Sequence, residues 1–218
     1  MKKSRRLILF VSIAIVIILG ISCFRPLNGE LFTVTAEDCI KFRKLPVSFQ
    51  FRTIPGWTVL SLDFPGLSPE NYVQLVHYSR AAEDIFDKAV SFGYLSGGNE
   101  RDKENFIPLA KQIMTTMTRP LDITGTPTEG EFIKQKHCTA YRILFFFTVS
   151  PGDVERVQLE SGDYIMCFSF LFNPYGKNGV MVLGAEMVDK ISGDPGKTFK
   201  STEIFKVLNS FRFIKEKK

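Results

Sequence analysis

Thr139-Ala-Tyr-Arg-Ile-Leu-Phe-Phe-Phe-Thr-Val149 and, after a polar connection, Tyr164-Ile-Met-Cys-Phe-Ser-Phe-Leu-Phe172 are the two most strongly β-forming stretches of this chain. In the first, the odd positions Tyr141, Ile143, Phe145, Phe147 and Val149 make one apolar row. In the second, Met166, Phe168, Phe170 and Phe172 make another at the even positions. Successive side chains of a strand point to opposite faces, and the opposite faces here carry Leu144, Phe146, Ile165, Cys167 and Leu171. A sheet apolar on both faces must be covered on both. The expectation is therefore an α+β fold, an antiparallel sheet covered by helices on both faces (an α-β-α sandwich).

Working outward, Val180 to Val188 reads as a third strand after the turn Asn173-Pro-Tyr-Gly-Lys-Asn-Gly179. Val47, Phe49 and Phe51 alternate with Ser48, Gln50 and Arg52, the period of a half-buried strand. Trp57 to Phe64 and Asn71 to Ser79 read as a hairpin of strands, the second rich in Tyr and Val. Two helices are expected between them and the central strands. One carries Ala82, Ile85, Phe86, Ala89 and Val90 as a stripe, with Gly93 as its stop. The other carries Phe106, Leu109, Ile113 and Met117, with Pro120 closing it. Ser96 to Lys103 between them is a polar loop whose Gly-Gly pair lacks the Lys-Ser/Thr of a phosphate-binding loop. Near the end, Ser201 is a plausible cap for a helix with the stripe Ile204, Val207, Leu208 and Phe211, after which Phe211-Arg-Phe213 is extended.

The first residues are of another kind. Lys2, Lys3, Arg5 and Arg6 precede eighteen residues without a charge, Leu7 to Phe24. At ~1.5 Å per residue these make a helix of roughly 27 Å, against a hydrocarbon core of about 30 Å. The basic flank stays on the cytoplasmic side and directs the chain beyond Phe24 across the membrane. Three fates are open. The segment serves as an uncleaved anchor, as a signal peptide with Gly20 and Ser22 before a cut at Cys23, or as a lipoprotein signal with Cys23 as the lipidated residue. Gly20 stands where lipoprotein signals carry a branched aliphatic, and length and charge alone suffice for the anchor. The expected organisation is residues 1–25 as anchor or signal segment, 26–45 as linker, and 46–218 as a single globular extracytoplasmic domain.

The formal charge of +5 falls to +1 once the four cations before Leu7 are set aside. A nucleic-acid binder needs a concentrated basic face, so nucleic acid is excluded as a partner. The expected partners are the lipid bilayer, through residues 7–24, and an envelope protein. Cys39, Cys138 and Cys167 have no metal-ligand spacing, and neither His77 nor His137 completes a cluster; no cofactor is expected. Pairing of the two central strands puts residue 138 near 173, six positions from 167. At ~3.4 Å per residue that is roughly 20 Å, too far for a disulfide, which leaves Cys39 as the flexible partner.

Catalytic constellations are thin. Asp122, Glu129 and Glu131 surround a Gly/Thr/Pro loop, and glycoside hydrolysis requires two carboxylates across a cleft. Trp57 and Tyr175 are candidates for stacking on a sugar or peptide. The favoured function is a membrane-tethered extracytoplasmic binding or assembly domain without catalytic activity. The alternative is an envelope-polymer hydrolase using loop carboxylates.

Phe49-Gln-Phe-Arg-Thr-Ile-Pro-Gly-Trp57 near the start and Ile204-Phe-Lys-Val-Leu-Asn-Ser-Phe-Arg-Phe213 at the end together resemble the PsbP-like superfamily. The resemblance implies a domain of about this length with an antiparallel sheet between helices. Photosystem members of that family stabilise a metal cluster through partners. Nothing here matches their functional positions, so no residue is carried over. The stretch 79–119 departs from the family by reading as helical and long.

Overall fold

Strand β8 (Thr139–Val149) lies antiparallel to β9 (Gly162–Phe172), with Thr139 opposite Phe172 and Val149 opposite Gly162. Around this pair a computed structural model describes residues 29–65, 67–79, 85–118, 122–124, 127–191 and 193–216. The main sheet has eight antiparallel strands. β3 (Thr58–Leu60), β4 (Asn71–Tyr78), β5 (Phe86–Leu95) and β10 (Gly179–Val188) lead in that order to β9 and β8. Two short strands, β6 (Asp122–Thr124) and β7 (Glu131–Lys134), share the far edge of β8. A second sheet has β2 (Phe49–Arg52) between β1 (Leu31–Val34) and β11 (Arg212–Phe213). The helices are α1 (Ala36–Lys41), α2 (Phe106–Thr118), α3 (Val154–Val157), α4 (Pro195–Ser201) and α5 (Glu203–Ser210).

The two faces of the main sheet carry two cores. Tyr141, Ile143, Phe145 and Phe147 join Met166, Phe168, Phe170 and Phe172 in one, closed by Phe106 and Ala110 of α2 and by Leu159. Leu144, Phe146, Ile165, Cys167 and Leu171 join the other, under α4, α5 and the small sheet. The α+β class and the antiparallel sheet are present as expected. The cover differs: on the second face a sheet as well as helices does the covering. Phe51 of β2 stacks on Phe92 of β5 at 4.5 Å, and Phe211 packs on Phe49 at 5.3 Å.

Three expectations are corrected. The stripe from Ala82 to Val90 is not a helix: Phe86–Leu95 is β5, with Gly93 inside it, and residues 80–84 lie outside the described residues. A strand buried on both faces is apolar at nearly every position, so helical spacing arises in it by coincidence. The linker expected over 26–45 contains β1 and α1. Thr35 caps α1 by accepting from the Asp38 amide at 3.1 Å, and β1 pairs with β2. In α2 the inward stripe runs through Phe106 and Ala110, while Leu109 faces solvent. The anchor or signal segment 1–25, with Cys23, lies outside the described residues. Among the described residues no helix is long and apolar enough to cross a membrane.

The C-terminal helix is built as its stripe implies, though its cap is Thr202 rather than Ser201. Thr202 accepts from the Phe205 amide at 3.1 Å, and Ser201 ends the preceding helix α4. Ile204, Val207, Leu208 and Phe211 are all buried. Gly184 of β10 is what lets α5 approach, since a Cβ there would stand 2.9 Å from Ile204 Cγ2. Leu208→Ala should therefore cost ~2–5 kcal/mol in chemical denaturation, and Gly184→Val ~1–3 kcal/mol by overpacking. The exposed Lys190→Ala should stay within about 0.5 kcal/mol of the parent. Equal midpoints for Leu208→Ala and Lys190→Ala would mean that α5 does not pack on the sheet.

Candidate functional site

The residues singled out from the sequence are dispersed. Cys39, Cys138 and Cys167 are buried free thiols. Cys39 sits in α1 with its thiol donating to the Val47 carbonyl at 3.5 Å, so it is no flexible partner for a disulfide. Burial raises the pKa of all three, that of Cys138 to about 12, which leaves them poor nucleophiles at neutral pH. Glu129 and Glu131 are exposed beside β7, and Asp122 heads β6. Trp57 is fully buried and unavailable for stacking on a ligand, whereas Tyr175 is exposed. The loop from Ser96 is ordered. Asn99 accepts from the amides of Arg101 and Asp102, and Asn173 bonds back to Gly98. Among the described residues no three of His, Cys, Asp and Glu gather as a metal site.

The structure assembles a different cluster, which the sequence did not disclose. Lys88 shares a face of β5 with Val90 and Phe92 and reaches α5, while a register shift at Asp87 puts Phe86 on the other face. His77, Lys88 and Glu186 then stand in one row across β4, β5 and β10. Glu186, only 7% exposed, accepts from the Glu203 and Ile204 amides at 3.1 and 3.0 Å, closing the N-terminus of α5. Glu203 accepts from Lys88 Nζ at 2.7 Å and from Trp57 Nε1 at 2.9 Å. His77 Nδ1 lies 2.6 Å from Asp87 Oδ1, and its ring is 6.3 Å from that of Trp57. Burial raises the Glu186 pKa despite its two amide donors and Lys88. Burial also works to raise that of Glu203, but the Lys88 and Trp57 hydrogen bonds hold it below the ordinary value. For Lys88 burial opposes the charge, and the hydrogen bond to Glu203 with the neighbouring carboxylates outweighs it, so its pKa is raised. The cluster binds α5 to the sheet, and its acids and its lysine are matched to one another.

A buried cation lies under α4. Arg142, 5% exposed, donates from Nε to Ser169 Oγ at 2.9 Å and stacks 5.0 Å from the Phe199 ring. Its Nη2 has no hydrogen-bond partner among the described residues.

A shallow hollow of about 300 Å³ lies between β1, α1 and residues 61–63. Phe32, Val34, Phe42 and Leu62 give it apolar walls; Asp38, Lys41 and Asp63 give it charge. Thr35 donates to Asp38 at 2.6 Å, and Ser61 donates to Asp63. With Thr33 and Ser61 completing the lining, the hollow mixes apolar, neutral polar and charged groups and suits an amphipathic side chain or short segment. Neither Asp38 nor Asp63 was among the acids nominated from the sequence.

No protein-family profile matches the chain, and no curated protein matches it. Among solved structures the chain is similar to the cyanobacterial PsbP (CyanoP) of Synechocystis sp. PCC 6803, at 14% identity and a TM-score of 0.48, covering 90% of this chain and 99% of that one. It is also similar to a protein of Bacteroides thetaiotaomicron VPI-5482, at 9% identity and a TM-score of 0.47 over 87% of this chain; the match spans 50% of that protein's length. A third similarity is to the Saccharomyces cerevisiae Ran-binding protein Mog1p, at 7% identity and a TM-score of 0.46, covering 87% and 97% of the two chains.

Because the Glu203 pKa is depressed in the folded state, its contribution is present above the ordinary carboxylate value of 4.5 and is lost as pH falls through the depressed value. Glu203→Gln should therefore be less stable than the parent at pH 7, and the deficit should shrink as denaturation is repeated at lower pH. A deficit constant across that range would show that the Lys88 pairing contributes nothing.

Proposed function

We propose that the chain is a membrane-tethered extracytoplasmic binding or assembly domain without catalytic activity, held to the bilayer by residues 7–24. The observation that carries this reading is the hollow between α1 and residues 61–63, formed directly after the tether and walled by apolar and charged groups together. It is the size of a side-chain cluster rather than of an extended polymer. Kinship with PsbP-like domains belongs to the same proposal. Its support is that the two motifs that carry the resemblance adjoin, Phe213 pairing with Phe49 and Arg212 with Gln50.

A photoreactive residue in place of Leu62, in the full chain in native membranes, should give one adduct of defined mass with an envelope protein. The same residue in place of Glu155 should give none. Similar smears from both positions would count against a docking site. The hydrolase reading finds its one support in Asp38 and Asp63, which face the same hollow. It requires release of soluble fragments from envelope polymer by the parent and loss of that release in Asp38→Asn; such a result would displace the binding reading.

The orientation has its own test. An alkaline phosphatase fused after Lys218 should be active and a cytoplasmic reporter silent, given the basic flank of Lys2, Lys3, Arg5 and Arg6. The mass of the membrane-extracted protein should be that of the whole chain; a diacylglycerol adduct beginning at Cys23 would replace the anchor with a lipid.

A further inference from the structure

Strand β1 has a neighbour on one side only, β2. The Thr53 amide donates to the Glu30 carbonyl at 3.0 Å, and on the far side of β2 the Ile214 amide donates to Ser48 O at 2.9 Å. In an antiparallel ladder the backbone groups of successive residues turn to alternate sides. The odd-numbered residues of β2 therefore bond to β1 and the even-numbered ones to β11. On β1 the backbone groups of Phe32 and Val34 meet β2, and the N–H and C=O of Leu31 and Thr33 point to the open edge. Among the described residues no strand and no hydrogen bond meets them there. Exposed edges are ordinarily blunted by lysine, proline or a covering segment. Leu31-Phe-Thr-Val34 holds neither residue, and Leu31 is 49% exposed.

The hollow adjoins this strand. The side chains of Phe32 and Val34, on the core-facing side of β1, wall it together with Phe42 and Leu62. A segment added to β1 turns its alternate side chains to that same side. Asp38 and Asp63 in the lining accept from neutral hydroxyls, and neither is in an ion pair among the described residues. The lysine of the lining, Lys41, stands 5.5 Å over the Phe42 ring. The hollow is thus short of positive charge. A lysine or arginine with its stem along Phe32 and Leu62 would bring a cation to those acids. We infer that β1 is a strand-addition site. An extended segment of a partner protein pairs with its open edge and alternates apolar side chains and a lysine or arginine into the hollow. The strand is short, so main-chain bonds to Leu31 and Thr33 hold the segment while the hollow selects its side chains. The inference rests on the docking reading of the hollow and adds to it the conformation and residue pattern of the partner.

The probe is fluorescein-labelled Thr-Val-Thr-Lys-Thr-Val-Thr-amide, titrated by anisotropy against the full chain in detergent micelles. Saturable binding is expected. Thr33→Pro removes the outward N–H and none of the bonds to β2, so it should melt like the parent yet bind roughly tenfold more weakly. Thr33→Val, which keeps the N–H, should bind as the parent does, and Asp63→Lys should weaken binding. A second measurement needs no variant of the protein. N-methylation of one alternate set of peptide amides, the threonines' or the valines' and lysine's, should abolish binding while the other set is tolerated. Loss or survival of binding with both sets alike, or undiminished binding to folded Thr33→Pro, would overturn strand addition and leave the hollow as a side-chain site. A dimer of the parent in sedimentation that Thr33→Pro dissociates would give the edge to a second copy and overturn the inference as well. No binding to the parent would overturn the partner chemistry, and the adduct at position 62 would then decide the docking reading by itself.

Discussion

Aromatic side chains on both faces of β8 and β9 leave this sheet no side that water can wet, and the rest of the architecture is a response to that condition. Each face must find its own cover, so the molecule has two cores separated by one sheet. One is closed from residues that precede and link the central strands, in α2 and around Leu159. The other takes the first and last described parts of the chain, α1, the small sheet, α4 and α5. At about 25 cal/mol per Å² of apolar surface removed from water, the fully buried rings of Phe145, Phe168 and Phe170 make this pair of strands a large apolar contribution to the fold. The stacked Phe51 and Phe92 rings join the second sheet to the first.

Where the second core reaches the end of the sheet, charge takes over from apolar packing. Glu186 is buried at the N-terminus of α5 and satisfies two amides that would otherwise lack partners. A buried carboxylate without compensation would be strongly unfavourable. Here Lys88, Glu203 and the Trp57 indole complete a network in which each buried group has a counterpart. Unbroken alternation from Lys88 to Phe92 makes it possible, because Lys88 shares the α5 side with Val90 and Phe92 while Ala89 joins the other core; the shift at Asp87 turns Phe86 to that other core as well. This network explains why an apparently polar row can run across three strands of a sheet that is apolar elsewhere.

Much of this was legible in the residues. The parity of Tyr141 to Val149 against Met166 to Phe172 assigned both faces and the antiparallel pairing, and the Ile204 to Phe211 stripe marked the closing helix. What failed was the stretch around Ala89. There a strand buried on both sides mimics helical spacing, and the shift at Asp87 breaks the alternation that would have exposed it. The part from Leu31 to Lys41 was missed because a four-residue strand and a six-residue helix are too short for periodicity to register. The hollow and the Glu186 cluster were invisible for a further reason. Asp38 and Asp63, like Lys88 and Glu203, are far apart in the chain, and only the register of the strands and the placement of the helices bring them together.

The small sheet also governs the timing of folding. Strand β2 is held on one side by β1 and on the other by β11, so its two neighbours are the first and the last strands among the described residues. Half of its pairing cannot form until Arg212 and Phe213 have been synthesised, and the core beneath it stays open until α5 arrives a few residues earlier. Contacts of such long sequence separation place the domain among slow folders of high contact order. A nascent chain lacking residues 203–213 would carry the Phe49 and Phe51 rings without their α5 and β11 cover, so the second core closes only after that segment has been made.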